Sequence, residues 1–436
     1  MKKNTKINLI SVTFSNHYSF EKKQKIFFER DTKYPQRDAW KLIKRGKKEI
    51  LPVTVFYGAN ASGKSNLMLI FNKLRPFFKN SEKVSSRLQG FRPFRLNKIA
   101  PKSESFLEFE LAVGNQVILY SLLFNASEIL EEKLRLDETL LYEKNRTDIH
   151  LKDDKLSKFV KLELGDTLKR KKDVLVLELL AIKECQPYVD LYDIFQNSFT
   201  HFESVDKNTK LKEMLYADRK MCEKISQWLR SADIGISHFE VERRIVPDEK
   251  RKLQKEIFDK LKTIPELNIS NEPDDGYGEQ YEYDLKFYHR GENNQEYPFG
   301  VYVESRGTVV FLGMLVKLCS AFVEGGLFFM DEIDCSLHPL LVKVLIQAFN
   351  NPKINKGGAQ LICTTHDINL LKKDVLRRDE IWFIEKDLSG HSIAYPLSQF
   401  NDVRNNVDYD KGYLEGRFGG IPLLGKLADF EKLMEG

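Results

Sequence analysis

Alternating apolar and polar positions dominate the first third of the chain. Runs with a period of two lie at 106–111, 117–123 and 134–136. A period of two places every second side chain on one face of a strand, and the Gly114-Asn115 pair favours a tight turn between the first two runs. This part therefore predicts β-hairpins, and apolar runs at 7–14 and 26–28 predict two strands before them.

The pattern changes near residue 150. From there to about residue 265 the chain is rich in Lys, Glu and Leu, and it predicts helices of ordinary length such as 174–185 and 210–231. Asp233-Ile234-Gly235 and Pro247 interrupt the pattern, which argues against a long coiled coil. A polar stretch follows, with a loop at 271–278, and then alternating strands and helices return.

These changes of pattern divide the chain into three parts. We expect a first lobe over residues 1–150, a helical insertion over 151–267 and a second lobe over 268–436. A strand is predicted at 281–287 at the start of the second lobe. With 436 residues the chain is too long for one compact core, which agrees with several lobes.

A glycine-rich loop separates the buried strand predicted at 53–56 from a helix predicted over 65–74, with Pro76 marking its end. The loop consists of Gly58, Ala59, Asn60, Ala61, Ser62, Gly63, Lys64 and Ser65, and Asn66 opens the helix. Glycines let backbone N–H groups turn inward around an anion, and the helix start adds partial positive charge. Lys64 can reach the β/γ-phosphates and the Ser65 hydroxyl can ligate Mg²⁺, so this segment predicts nucleotide binding.

Two more strand ends carry candidate catalytic groups. The apolar run 327–330 ends at Asp331 and Glu332, where Asp331 would hold Mg²⁺ and Glu332 would orient and activate the attacking water. The run 360–364 is followed by His366, which can sense the γ-phosphate. With Lys64, these residues form the predicted catalytic set.

A short polar segment precedes an apolar helix predicted over 309–322. Ser305 and Gly307 can present a hydroxyl and bare N–H groups to an anion, although a simple N-cap by Ser305 or Thr308 is the alternative. Because one nucleotide already has its loop at 58–65, the anion that this segment meets would be held by another copy of the chain.

Composition narrows the function classes. The net charge of +5 is not that of a strongly basic nucleic-acid binder, and five cysteines without a CxxC pair argue for free thiols in a reducing compartment. No apolar stretch resembles a signal peptide, and none approaches the ~20 residues of a membrane span. We therefore expect a soluble, cytoplasmic protein without a membrane partner.

The order of these motifs resembles that of ABC-type ATPase heads, and the loop form resembles the SMC/RecF branch. More narrowly, the chain resembles the bacterial AAA-family ATPases related to RloA and to abortive-infection and phage-defence ATPases. The segments that carry this resemblance are 12–14, 18–20, 93–97, 304–308, 330–339, 364–367 and 412–422.

The resemblance implies a fold, ligands and an assembly. It implies an α/β fold: an ABC-type head with a mixed central sheet, an antiparallel β subdomain and a helical insertion, using ATP and Mg²⁺. It also implies a head-to-tail homodimer, open to higher assembly, in which ATP lies between Gly58–Ser65 of one copy and Ser305/Gly307 of the other. Ser336–Pro339 would lie along that interface, and Gln89 is the nearest candidate for the glutamine that ligates metal and water.

Three functions are compatible with this resemblance. The leading hypothesis is an ATPase that acts as sensor and switch of an anti-phage defence system and controls a partner effector, commonly a nuclease. The second is a RecF-like DNA-repair ATPase that binds nucleic acid. The third is an ATP-regulated scaffold with little hydrolysis.

Overall fold

The computed structural model describes residues 6–33, 41–78, 88, 91–152, 158–197, 199–201, 208–231, 235–262, 281–335, 337–400 and 408–422. The expected loop at 271–278 lies outside these residues. The chain forms two compact units, one of residues 1–202 with 320–436 and the other of residues 203–319.

Eighteen strands are found in the part of the chain that the structure describes. They are β1 (Ile7–Ser15), β2 (Gln24–Phe27), β3 (Ile43–Arg45), β4 (Lys48–Ile50), β5 (Val53–Tyr57), β6 (Ser105–Val113), β7 (Gln116–Phe124), β8 (Ile129–Leu136), β9 (Thr139–Asn145), β10 (Asp148–Leu151), β11 (Phe199–His201), β12 (Ile236–Ile245), β13 (Tyr281–Arg290), β14 (Glu296–Gly300), β15 (Leu327–Met330), β16 (Gln360–Thr364), β17 (Ile381–Lys386) and β18 (Ser392–Pro396).

The helices of the described residues are α1 (Lys64–Phe78), α2 (Lys158–Arg170), α3 (Val176–Ile182), α4 (Tyr188–Asn197), α5 (Thr209–Ala217), α6 (Arg219–Ser231), α7 (Asp248–Lys262), α8 (Arg306–Glu324), α9 (Pro339–Phe349) and α10 (Tyr409–Leu414). Short 3₁₀ turns include Ile368–Leu370 and Arg378–Glu380.

An antiparallel sheet of seven strands, in the order β10-β9-β8-β7-β6-β1-β2, belongs to the first unit. The predicted hairpins are confirmed, because β6 and β7 pair directly through the turn at Gly114, whose φ is +60°. Alternate residues of β6 are buried over most of its length, as the period of two requires for a sheet with one covered face.

The second sheet of this unit has six strands in the order β11-β15-β16-β5-β17-β18. All neighbours are parallel except β18, which is antiparallel to β17. β5 and β16 are buried along their whole length, as expected for parallel strands covered on both faces. The mixed α/β fold with a separate antiparallel sheet is therefore confirmed.

One apolar core joins both sheets of the first unit to the helices that cover them. Helix α1 stacks Phe71 on Phe329 of β15, with ring centroids 4.7 Å apart. The helix continues past Pro76 to Phe78, so the predicted end was too early; Phe77 and Phe78 are both buried, and their packing outweighs the local preference of proline to end a helix.

Helices α2 to α4 also belong to this core. Phe195 of α4 stacks on Phe78 at 4.6 Å and meets Tyr120 of β7 at 5.0 Å. These helices therefore lie in the first unit, whereas the sequence led us to expect one helical insertion over 151–267. The predicted helix 174–185 is shorter, at 176–182, and the predicted helix 210–231 is broken at Asp218 into α5 and α6.

The second unit contains an antiparallel sheet in the order β12-β13-β14, and β13 confirms the strand predicted at 281–287. Helices α5 and α6 bury Leu215 and Leu229 beside this sheet. Helix α8 begins in this unit, and among the described helices it alone has the length and composition to cross a membrane. A buried core helix passes the same test, and 56% of the apolar window of α8 is buried.

Candidate active site

The predicted site residues of the first unit meet at one edge of the six-stranded sheet. Strands β15, β16 and β5 are adjacent and parallel, with Met330 beside Cys363 and Thr364 beside Phe56. The loops that leave their carboxyl ends therefore start side by side. This topology brings loop 58–65, the Asp331-Glu332 pair and His366 to the same edge, where α/β sheets commonly bind ligands.

Backbone geometry explains the glycines of the loop. Gly63 has a φ of +117°, which side chains rarely allow, and Ala61 is also left-handed at +60°. At Gly58 a side chain would collide with the backbone oxygen of Ile384 in β17 and would lie 2.6 Å from the Ser62 hydroxyl. The loop thus follows a tight path between strand and helix that requires glycine at positions 58 and 63.

Lys64 lies at the first residue of α1, and its ammonium group turns back onto the loop. Nζ donates to the carbonyl oxygens of Gly58 at 2.8 Å and Ala59 at 2.9 Å. Burial lowers the pKa of Lys64 below its ordinary value, although the carboxylates of Glu332, Asp331 and Asp334 act in the opposite direction. The acidic residues of the site thus favour the charged form of the ammonium group that would contact the phosphates.

Thr364, the last residue of β16, joins the two acidic residues. Its hydroxyl donates to Asp331 Oδ1 at 2.6 Å and accepts from the backbone N–H of Glu332 at 2.7 Å. Glu332 has a left-handed φ of +50°, a conformation that costs energy in a residue with a side chain. Both acidic side chains are exposed at the sheet edge, while Thr364 is fully buried.

Asp334 fixes the segment that carries His366. Its carboxylate accepts from the Thr365 hydroxyl at 2.7 Å and from the backbone N–H of His366 at 3.3 Å. The His366 side chain itself is exposed. Sequence reasoning assigned no role to Thr364, Thr365 or Asp334, because hydroxyls and carboxylates beside a motif carry no periodic signal.

A second group of polar residues lies against the glycine loop; Asn66 was predicted to bind the nucleotide, whereas Ser19 and Ser392 were missed. Asn66 Nδ2 donates to Ser19 Oγ at 2.9 Å, and Ser392 Oγ lies 2.8 Å from Ser19 Oγ and 2.6 Å from the backbone oxygen of Ser62. Ser19 falls within one segment of the family resemblance, but no motif in the sequence marks Ser392.

Ser305 and Gly307 belong to the second unit, at the start of α8. The Ser305 hydroxyl accepts from the Thr308 backbone N–H at 3.1 Å and lies 2.8 Å from the Thr308 hydroxyl. Ser305 therefore caps α8, as one of the two sequence interpretations proposed. Ser305 is exposed, and its role beside a nucleotide stays a prediction.

Comparison with known protein families identifies the family to which the chain belongs. A family model described as "AAA domain, putative AbiEii toxin, Type IV TA system" matches residues 53–175 and 219–372, which is more than half of the chain and includes every predicted site residue. The chain belongs to this AAA-domain family. No curated protein matches it.

Two solved structures show a weaker likeness to this AAA-family chain. One is described as the SmcHead bound to the C-winged helix domain of ScpA; it is 12% identical, with 89% of this chain and 97% of the other covered and a TM-score of 0.40. The other is the SMC head domain from Thermotoga maritima, also 12% identical, with 89% and 98% covered and a TM-score of 0.41.

The AAA-family chain offers oxygen ligands suited to Mg²⁺. The described residues contain no group of three or more His, Cys, Asp or Glu side chains that could hold a metal ion alone. The Ser65 hydroxyl and the Asp331 carboxylate are both exposed at the same edge. This donor set fits Mg²⁺, which usually keeps several waters and binds through one or two protein oxygens plus phosphate. Gln89 and Ser336 lie outside the described residues.

Proposed function

We propose that this chain binds and hydrolyses ATP as an ABC-type ATPase, and that it is the sensor and switch of a bacterial anti-phage defence system. The observation that supports ATP chemistry is the meeting of Lys64, the acidic pair and His366 at the ends of adjacent parallel strands. Phosphate binding, water activation and phosphate sensing each have a candidate group there.

The side chains divide the work as follows. When ATP binds, Lys64 Nζ exchanges its hydrogen bonds to the carbonyl oxygens of Gly58 and Ala59 for hydrogen bonds to the β- and γ-phosphates. The new acceptor oxygens are charged, so these bonds are stronger. Glu332 accepts the proton of the attacking water, and His366 contacts the γ-phosphate side. Mg²⁺, held by Ser65 and Asp331, would neutralise developing charge on the phosphate oxygens.

A second copy completes the proposed site. Ser305 and Gly307 of the partner would cover the triphosphate, with the first N–H groups of α8 adding positive partial charge. ATP then favours the closed homodimer, and hydrolysis releases it. The switch consists of this change in assembly.

The defence role rests on the family. The matching family's description names a putative AbiEii toxin and a type IV toxin–antitoxin system, which supports a role in such a system. In this proposal the closed or open dimer holds or releases an effector protein, commonly a nuclease, in the cytoplasm.

Turnover by the Glu332→Gln variant tests the enzymatic part. We expect a fall in kcat of at least about 100-fold, because the general base is lost, with ATP binding retained. Glu324→Gln, which changes an exposed glutamate at the end of α8, is the matched control and should leave kcat unchanged. Equal rates for wild type and Glu332→Gln would contradict the proposal and favour a scaffold that hardly hydrolyses ATP.

Equilibrium binding of a non-hydrolysable ATP analogue tests the loop. Lys64→Ala should weaken binding at least about tenfold, because a buried, charged phosphate contact is lost. Lys353→Ala removes an exposed lysine in the connection between α9 and β16 and should bind like wild type. Normal binding by Lys64→Ala would contradict the loop assignment.

Phage plating on the native host tests the defence role separately. A host that expresses wild type together with its neighbouring reading frames should restrict phage, and the Lys64→Ala host should not. Equal plating on hosts with wild type, Lys64→Ala and no gene at all would overturn the defence role without affecting the ATPase assignment.

A further inference from the structure

We propose that Ser392, supported by Ser19, is a positioning residue that orients the peptide between Ser62 and Gly63 for phosphate binding. The inference rests on the proposed ATP site. Ser392 opens β18, and it is separated from the loop by 330 positions in the sequence.

Proton counting fixes the direction of the hydrogen-bond chain. The Ser62 carbonyl can only accept, so the single Ser392 proton goes to it, over 2.6 Å. Ser19 then donates to Ser392 across 2.8 Å and itself accepts from the amide of Asn66 at 2.9 Å. The chain runs in one direction from the start of α1 back to the loop, and such aligned bonds strengthen one another.

Because the peptide is planar, the hydrogen bond from Ser392 to the Ser62 carbonyl also determines the direction of the Gly63 N–H. The peptide between Ser62 and Gly63 is planar, and in the trans form its C=O and N–H point in opposite directions. Because Ser392 holds the C=O on its own side, the Gly63 N–H points away from both serines. That leaves the N–H free to donate to a phosphate oxygen on the other side of the loop.

Close packing makes the contact rigid. A Cβ at Gly63 would lie 2.9 Å from Ser19 Oγ and 3.0 Å from Ser392 Cβ, so the two serines fill the space on that side. Ser392 is fully buried and Ser19 nearly so. Water therefore has no room to take over the hydroxyl's role when Ser392 is changed.

The backbone also anchors Ser392. Its N–H donates to the Ser19 carbonyl at 2.7 Å, and the residue pairs with Lys386 across the β17–β18 hairpin. The hydroxyl is thus held from two sides before any ligand arrives, which is the condition for a preorganised site.

The test compares Ser392→Ala with Ser389→Ala in the full-length chain. Ser389 lies on the same hairpin and is exposed, and its hydroxyl donates to its neighbour Asp387 at 2.6 Å. We expect Ser392→Ala to raise the KM for ATP and the Kd for ADP about tenfold, because a buried acceptor is left unpaired and the Gly63 N–H is no longer aimed. The kcat at saturating ATP should stay within about twofold, since Glu332 is untouched.

If Ser392 only stabilised the fold, the result would be different. Ser392→Ala would then lower the thermal midpoint of the nucleotide-free chain without a selective change in KM. Ser19→Ala, which keeps the bond between Ser392 and Ser62, should give a smaller loss of affinity and serves if Ser392→Ala fails to fold. Wild-type affinity in Ser392→Ala, or in a folded Ser19→Ala, would overturn the inference alone; absence of nucleotide binding by wild type would overturn the proposed function as well.

Discussion

Thr364 shows how one hydroxyl can position two residues of the proposed active site. It bonds the carboxylate of Asp331 and the backbone of Glu332 at the same time, in a site where Glu332 adopts a left-handed backbone. A hydrogen bond to a charged group contributes more to stability than a hydrogen bond between neutral groups. Loss of the Thr364 hydroxyl therefore affects both the position and the solvation of Asp331 and Glu332.

Replacing Thr364 by valine keeps the shape and removes both bonds. We expect kcat to fall about tenfold with little change in the KM for ATP, because Asp331 and Glu332 lose their alignment while the glycine loop is intact. Thr54→Val is the matched control: Thr54 lies on the neighbouring β5, is fully buried, and its hydroxyl has no hydrogen-bond partner among the described contacts. An unchanged kcat in Thr364→Val would contradict the positioning role.

Glu380 is a buried acid at the end of the 3₁₀ turn Arg378–Glu380, immediately before β17. Burial raises its pKa from 4.5 to about 8, although the Arg377 backbone N–H, which it accepts at 2.7 Å, acts in the opposite direction. Below pH 4.5 the group is protonated in folded and unfolded chains alike. Between pH 4.5 and about 8 only the unfolded chain loses the proton, so this residue lowers stability as pH rises through that window.

Glu380→Gln should therefore gain stability relative to wild type as the pH rises from 5 to 8. Glutamine keeps an acceptor for the Arg377 N–H and never ionises. Urea unfolding at several pH values measures the difference, with the exposed Glu324→Gln as control. A constant difference between wild type and Glu380→Gln across that range would contradict the burial of a neutral acid.

Sequence motifs indicate residues that are expected to contact a ligand, but they do not indicate the residues that position those groups. Lys64 and the acidic pair stand at strand ends beside recognisable loops, and the structure brings them to one edge. Thr364, Asp334 and Ser392 act by single hydrogen bonds, and Ser392 reaches the loop only through the pairing of β17 with β18. No local pattern encodes such a contact.

At the scale of elements, one buried carboxylate joins the antiparallel sheet to helix α3. Glu132 of β8 accepts from the hydroxyls of Tyr120 at 2.9 Å and Tyr142 at 2.6 Å. It also accepts from the backbone N–H groups of Val176 at 2.7 Å and Leu177 at 3.1 Å. The negative charge thus caps the start of α3, where the helix dipole favours an anion.

Glu132→Gln should destabilise the chain by about 2–4 kcal/mol, because the amide NH₂ takes the place of a carboxylate oxygen that accepts from at least one buried backbone N–H, such as that of Val176. Glu131→Gln changes the half-exposed neighbour on the same strand and should cost less than about 0.5 kcal/mol. Denaturant unfolding of both variants measures the difference. Equal stability of the two variants would show that this junction does not hold α3.

Strands were predicted better than helices in this chain. The hairpins of β6 to β8 follow from a period of two that needs no partner to be recognised. The placement of α2 to α4 depends on contacts such as Phe195 with Phe78, which join residues far apart in sequence. The end of α1 was missed for the same reason, since the burial of Phe77 and Phe78 is a tertiary effect.

At the scale of the whole molecule, the two units divide the predicted site. The first unit carries the glycine loop and the proposed catalytic groups, and the second carries Ser305 at the start of α8. Each unit is matched in part by the AAA-domain family. A switch that depends on ATP needs these two halves to meet around one triphosphate, which in the proposed mechanism happens between copies of the chain.

Sedimentation velocity of Glu332→Gln tests this account most directly. The variant retains the loop and should trap ATP, so we predict a single-chain species without nucleotide or with ADP and a two-chain species with saturating Mg-ATP. Wild type should return to the single-chain species as its ATP is consumed. A variant that stays a single chain with ATP bound would contradict the shared site on which the proposed switch depends.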